Sequence, residues 1–107
     1  MKKEYELAEL KADVLKAMAH PTRLYMLEVL DKGERCVCEL NELVKADPST
    51  ISKHLTIMKQ AGLVSDRKDG LKVYYRLEVP CIMNFIKCIS QVISTRAKKQ
   101  LTALSER

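Results

Sequence analysis

The segment from Asp47 to Leu77 constrains the fold more than any other part of the chain. Asp47-Pro48 makes a turn and then a helix start, because proline's fixed φ suits the first helical turn and its missing N–H is not needed there. Asp47 or Ser49 can cap that helix with a side-chain oxygen. Ile51, Leu55 and Met58 recur on one helical face up to about Gln60, and Gly62 is placed as a C-terminal stop. Leu63–Arg67 and Lys72–Leu77 then read as strands. Between them Asp69-Gly70 signals a tight hairpin, because glycine tolerates positive φ.

The rest of the chain is helical in pattern. Leu7, Leu10, Val14 and Met18 give a first amphipathic helix, ended by His20-Pro21. A second carries Leu24, Leu27 and Leu30 and stops near Gly33. A short third helix covers roughly Val37 to Lys45, with Leu40, Leu43 and Val44 facing inward. From Cys81 a last helix places Ile82, Phe85, Ile86, Ile89, Val92 and Ile93 on one stripe, continuing weakly to Leu101 and Leu104. With 107 residues and 47% hydrophobic content, one domain spanning 1–107 is expected, of a size that gains from oligomerisation.

Helix, tight turn, helix and hairpin is the order of a winged helix-turn-helix, mainly α with a β-hairpin wing. The pair of helices occupies roughly Glu39 to Ala61. Its second helix would enter the major groove of double-stranded DNA, with Ser49, Thr50, Ser52 and Lys53 on the outward side and Lys59 available to a phosphate; His54 reads equally as a base reader on that side or as a capped, partly buried histidine. Arg67, Lys68 and Lys72 around the hairpin tip make a basic wing. A net charge of +5 suits such a polyanionic partner. One recognition helix buries little, so a homodimer through the N- and C-terminal stripes is expected, reading two half-sites. The pattern lacks a membrane span and a secretory leader, so a cytoplasmic setting with reduced thiols is expected. It also lacks a phosphate loop and an H-E-x-x-H motif, and no enzyme is expected.

Four cysteines remain. Cys36-Val37-Cys38 stands at the start of the third helix among Glu34, Arg35 and Glu39. Soft thiolates select thiophilic ions such as As(III), Sb(III), Cd or Pb. Residues i and i+2 point to different sides of an α-helix, so both sulfurs reach one ion only where the turn is non-helical. Binding would then unwind or tilt the helix that positions the recognition helix. A trivalent arsenic takes three thiolates, which leaves one position for Cys81, Cys88, water or an external thiol. Cys81 and Cys88 share a helix face beside Phe85 and Ile89, where a core or dimer-seam role is the simpler expectation. The rival chemistry is a disulfide or persulfide switch. Cys36 or Cys38 could pair with Cys88 if the Cα atoms lie within about 7 Å, whereas Cys36 and Cys38 are too close in sequence to close easily.

Several segments together resemble the ArsR/SmtB family of repressors. Leu15–Leu24, with Ala19-His20-Pro21-Thr22-Arg23-Leu24, looks like the family's second-helix entry. Glu34-Arg35-Cys36-Val37-Cys38-Glu39-Leu40 resembles its thiol metal box, of the arsenic type. Ser49-Thr50-Ile51-Ser52-Lys53-His54-Leu55, followed by Ala61-Gly62-Leu63-Val64, resembles its recognition helix and exit, and Val73–Leu77 resembles its wing. The likeness runs from about residue 7 to 95. It implies a homodimer that represses its own operon and leaves operator DNA on binding a thiophilic ion. The chain departs from the family where Pro48 replaces a frequent Gln, and where Leu40 and Asn41 stand at the positions of a third Cys. No His or Asp occurs after Cys81, so the family's last-helix zinc site is not expected.

Overall fold

A computed structural model describes residues 1–106. The elements run α1 (Lys2–Met18), α2 (Pro21–Asp31), β1 (Arg35–Cys36), α3 (Val37–Leu43), α4 (Pro48–Gln60), β2 (Val64–Asp69), β3 (Lys72–Leu77) and α5 (Ile82–Ser105). The mainly α fold with a hairpin wing is as expected. The differences lie in details set by tertiary contacts.

Pro21 and Pro48 each sit at the first position of a helix. His20 caps α2, its Nδ1 accepting the Thr22 N–H at 3.1 Å. Asp47 occupies the cap position of α4, but its side chain makes no capping bond. Gly62 turns the chain out of α4 at φ +83°, a conformation that disfavours any residue with a Cβ. Helix α1 begins five residues before the first apolar residue of its stripe, since Lys2–Glu6 propagates a helix without burying anything.

Met26, Leu27, Leu40, Ile51, Leu55, Met58 and Leu63 are almost wholly shielded from water and form the centre of the core. Helix α4 enters this core through the Ile51–Leu55–Met58 face, which spaces apolar side chains one and two turns apart. Val44 is buried as expected, but Leu43 is 45% exposed: α3 ends there, and only Leu40 of the helix proper is buried.

The sheet order is β1-β3-β2, antiparallel throughout. Strand β1 was not expected. It is two residues long, pairing Arg35 with Tyr75 and Cys36 with Tyr74. The wing's second strand is therefore the central strand, hydrogen-bonded on one side to β2 and on the other to the residue that opens α3.

Helix α5 buries only Ile86. Phe85, Ile89, Val92 and Ile93 are 46, 39, 57 and 60% exposed, as are Leu7 and Leu10 of α1 at 52 and 63%. Such contiguous apolar surface on both terminal helices is more than a monomer ordinarily leaves to water.

Candidate DNA interface and sulfur site

Helix α4 presents Ser49, Ser52, Lys53, Thr56 and Lys59 to solvent, with Thr50 partly covered. His54 does not join them. It is 8% exposed and turned inward on the Leu55 side of the helix. Arg23 Nε donates to its Nδ1 at 3.0 Å, and its ring lies 4.4 Å from that of His20. The same guanidinium donates to the Lys16 and Ala17 carbonyls. Burial first, then the neighbouring His20 and Arg23, hold the His54 imidazole below its ordinary pKa and so in the neutral form that can accept from Arg23. His54 ties α4 to the start of α2, and it cannot reach a base edge without leaving that site.

Two of the expected cations are already paired. Lys59 Nζ lies 2.9 Å from Asp66 Oδ1, which raises the ammonium's pKa. Arg67 Nε lies 3.0–3.1 Å from both carboxylate oxygens of Glu34, and its Nη2 is 2.5 Å from Glu34 Oε1. Its guanidinium also lies 4.5 Å over the Tyr74 ring and 3.8 Å from Asp69. This bidentate bond keeps the Glu34 carboxyl below its ordinary value. Lys68 and Lys72 remain exposed near the hairpin tip, and Gly70 turns the tip at φ +64°.

Cys36 and Cys38 come together. Cys36 is not helical: it caps α3 with φ −75° and ψ 157°, while Cys38 lies within the first turn. The extended cap turns the first sulfur back over the second. The two are joined by a disulfide, their Cα atoms 5.3 Å apart, in contrast to the expectation that the pair is too close in sequence to close. The sulfurs therefore meet without any unwinding of the helix start. Cys36 Sγ also accepts the Glu39 N–H at 3.2 Å, and Glu39 Oε1 accepts the Cys36 N–H at 3.3 Å. This reciprocal pair is a capping box in which sulfur takes the usual place of a hydroxyl. Cys36 is 3% exposed and Cys38 is exposed.

Neither Cys81 nor Cys88 joins the pair; both are free and exposed, Cys81 at the cap position of α5 and Cys88 within the helix. Among the described residues no three His, Cys, Asp or Glu side chains converge as a metal site. What adjoins the sulfurs instead is an open cleft of about 520 Å³. Its walls are Val37 of α3, Ser52, Leu55 and Thr56 of α4, Asp66 of β2, and Leu71, Lys72, Val73 and Tyr75 of the hairpin. The cleft was not foreseen, because it exists only where three elements distant in sequence meet.

Residues 20–66 match the family described as "Bacterial regulatory protein, arsR family". An uncharacterized HTH-type transcriptional regulator of Methanocaldococcus jannaschii is 36% identical over 88 residues, 81% of this chain and 99% of that protein. The arsenic resistance transcriptional regulator of Pseudomonas putida is 44% identical over 70 residues, 63% of this chain and 55% of its own. The homodimeric winged helix-turn-helix DNA-binding domain from Mycobacterium bovis superposes with a TM-score of 0.75 at 29% identity, covering 85% of this chain and 87% of that one. On its order of elements, its recognition helix and wing, and these likenesses, the chain belongs to the ArsR family of transcriptional regulators.

Proposed function

We propose that the chain is a cytoplasmic homodimeric repressor that binds operator DNA and is released when a thiophilic ion, As(III) or Sb(III) first among them, binds Cys36 and Cys38. The family consists of DNA-binding regulators and not of enzymes, and no described helix is long and apolar enough to cross a membrane. The observation that carries the reading is the meeting of the two sulfurs on an extended cap, beside a cleft walled by the recognition helix and the wing. Ser49, Thr50, Ser52 and Lys53 are the groove-facing set on α4, and Lys68 and Lys72 meet the backbone from the wing, joined by Lys59 and Arg67 when their carboxylates release them. The apolar faces of α1 and α5 supply the two-fold interface, as the homodimeric M. bovis domain supports.

The coupling has a physical route. A 100-fold loss of DNA affinity needs a difference of about 2.7 kcal/mol between the two protein states. Cys36 Sγ caps α3 by accepting the Glu39 N–H, and an ion that draws the sulfur away from that N–H weakens the cap, an effect of about 0.5–2 kcal/mol where the capping atom is oxygen. The joined sulfurs favour a second reading, release on oxidation to the Cys36–Cys38 disulfide, or on persulfide chemistry at the same pair.

The experiment is DNA release from the duplex upstream of the protein's own gene, titrated separately with arsenite, antimonite, cadmium, lead, hydrogen peroxide and polysulfide. Release by arsenite that survives Cys36→Ser together with Cys38→Ser defeats the metalloid reading. Release by peroxide or polysulfide alone selects the redox one.

A further inference from the structure

The sulfur pair lacks one ligand for inorganic As(III), and the space where that ligand would stand is the cleft. Two thiolates satisfy two of arsenic's three bonds. No third cysteine converges on the pair among the described residues. The adjoining volume of about 520 Å³ far exceeds what a single hydroxide needs and lies in the range of small-molecule sites. Val37, Leu55, Leu71 and Val73 give it apolar walls, and Leu71 is otherwise wholly exposed.

From this we infer that the preferred effector is a trivalent arsenical carrying one carbon substituent, R–As(OH)2, whose organic group occupies the cleft between α4 and the wing. The inference rests on the metalloid reading of the same pair and names its ligand class. The reaction is a ligand exchange. Two As–S bonds form and two As–O bonds break. The two thiol protons leave with the hydroxides as two waters, and arsenic stays trivalent. The dithiol form is required, so the Cys36–Cys38 disulfide is first reduced by a phosphine, which takes up oxygen from water as the phosphine oxide. The carbon-bound group needs no further protein ligand, which suits a site with two sulfurs. Within the cleft it meets Ser52 and Thr56 on the exposed side of α4. The occupant and a DNA duplex would then compete for one face, and release would need no long relay.

The test uses the full-length protein, reduced with a phosphine, and compares phenylarsine oxide (which takes up one water in solution to give the dihydroxy form, phenyl–As(OH)2) with sodium arsenite. Intact mass reports the adduct, and fluorescence anisotropy reports release of labelled DNA. Burial of a phenyl group should lower the half-maximal concentration by about tenfold to a hundredfold relative to arsenite. The adduct should be one phenylarsenic per protomer with loss of two waters. It should vanish in Cys38→Ser, whose exposed position spares the fold, and persist in the Cys81→Ser, Cys88→Ser double variant. Val73→Phe, which narrows the cleft, should erase most of the phenyl preference while leaving arsenite binding near its original strength. Equal or tighter binding of arsenite overturns the inference, as does loss of the arsenite response in the Cys81→Ser, Cys88→Ser variant, which would reveal a third thiolate. A phenyl adduct on the pair that leaves DNA bound upholds the ligand assignment and defeats the repressor-release reading instead, so the two failures are told apart.

Discussion

Glu34 holds Arg67 where no phosphate can use it. The carboxylate takes both Nε and Nη2 of the guanidinium, the bond that a phosphate would otherwise receive. Glu34→Ala should release the side chain to the DNA backbone, while the stacking on Tyr74 still aims it from the wing. Each cation that neutralises a phosphate expels condensed counterions and steepens the fall of log affinity with log salt by about 0.9. Two wings in a dimer therefore add about 1.8 to the slope. Between 50 and 200 mM salt, the variant's advantage over the parent should shrink by roughly tenfold. Anisotropy titrations of a labelled duplex across that range measure the slope directly. An unchanged slope refutes the idea that Arg67 is a masked phosphate ligand. So does a steepening that persists when Arg67→Ala is added, since the effect would then belong to the lost negative charge alone.

Four further outcomes are expected. Ellman titration should find two reactive thiols per protomer before reduction and four after, whereas Cys38→Ser should abolish that difference and keep DNA binding. His54 should make the protein acid-sensitive: its folded pKa is depressed, so the unfolded chain takes up the proton first. The stability it supports is full above the ordinary 6.5 and is lost as pH falls from there through the lowered folded value. Melting curves between pH 7.5 and 5.5 should show this loss, and His54→Gln should flatten it; equal pH dependence in both proteins would remove His54 as its source. Phe85→Asp with Ile89→Asp should leave a folded monomer by sedimentation, and a persistent dimer would place the interface elsewhere. Leu55→Ala should cost about 2–5 kcal/mol in urea unfolding, because the side chain is 1% exposed at the centre of the core.

Most of the fold was legible because its signals are local. Pro21, Pro48, Gly62 and Asp69-Gly70 act within a few residues, and each appears where its chemistry put it. What escaped was set by partners far along the chain. Strand β1 exists because Cys36 meets Tyr74, a pairing that two residues of sequence cannot announce. His54 stands between outward neighbours and differs from them only by helical phase, which Arg23, 31 residues away, decides. Lys59 and Arg67 read as free cations until Asp66 and Glu34 are brought to them. The closure of Cys36 on Cys38 depended on a cap with ψ 157°, where a helical first residue would have kept the sulfurs apart.

The short β1–β3 pairing gives the sulfur chemistry a readout that needs neither DNA nor effector binding curves. On the middle strand of the sheet Tyr74 pairs with Cys36, the residue whose sulfur changes state, and Tyr75 pairs with Arg35 beside it. Successive amides of a strand point to opposite edges, so one of the two faces β1 and the other β2; β1 is only two residues long, and local opening at its edge should be governed by how firmly Cys36 is held. Hydrogen exchange at the tyrosine amide that faces β1 would register reduction, oxidation or ligation of the pair as a change in protection. The amides at the tip near Gly70, beyond the reach of β1, would serve as the internal reference.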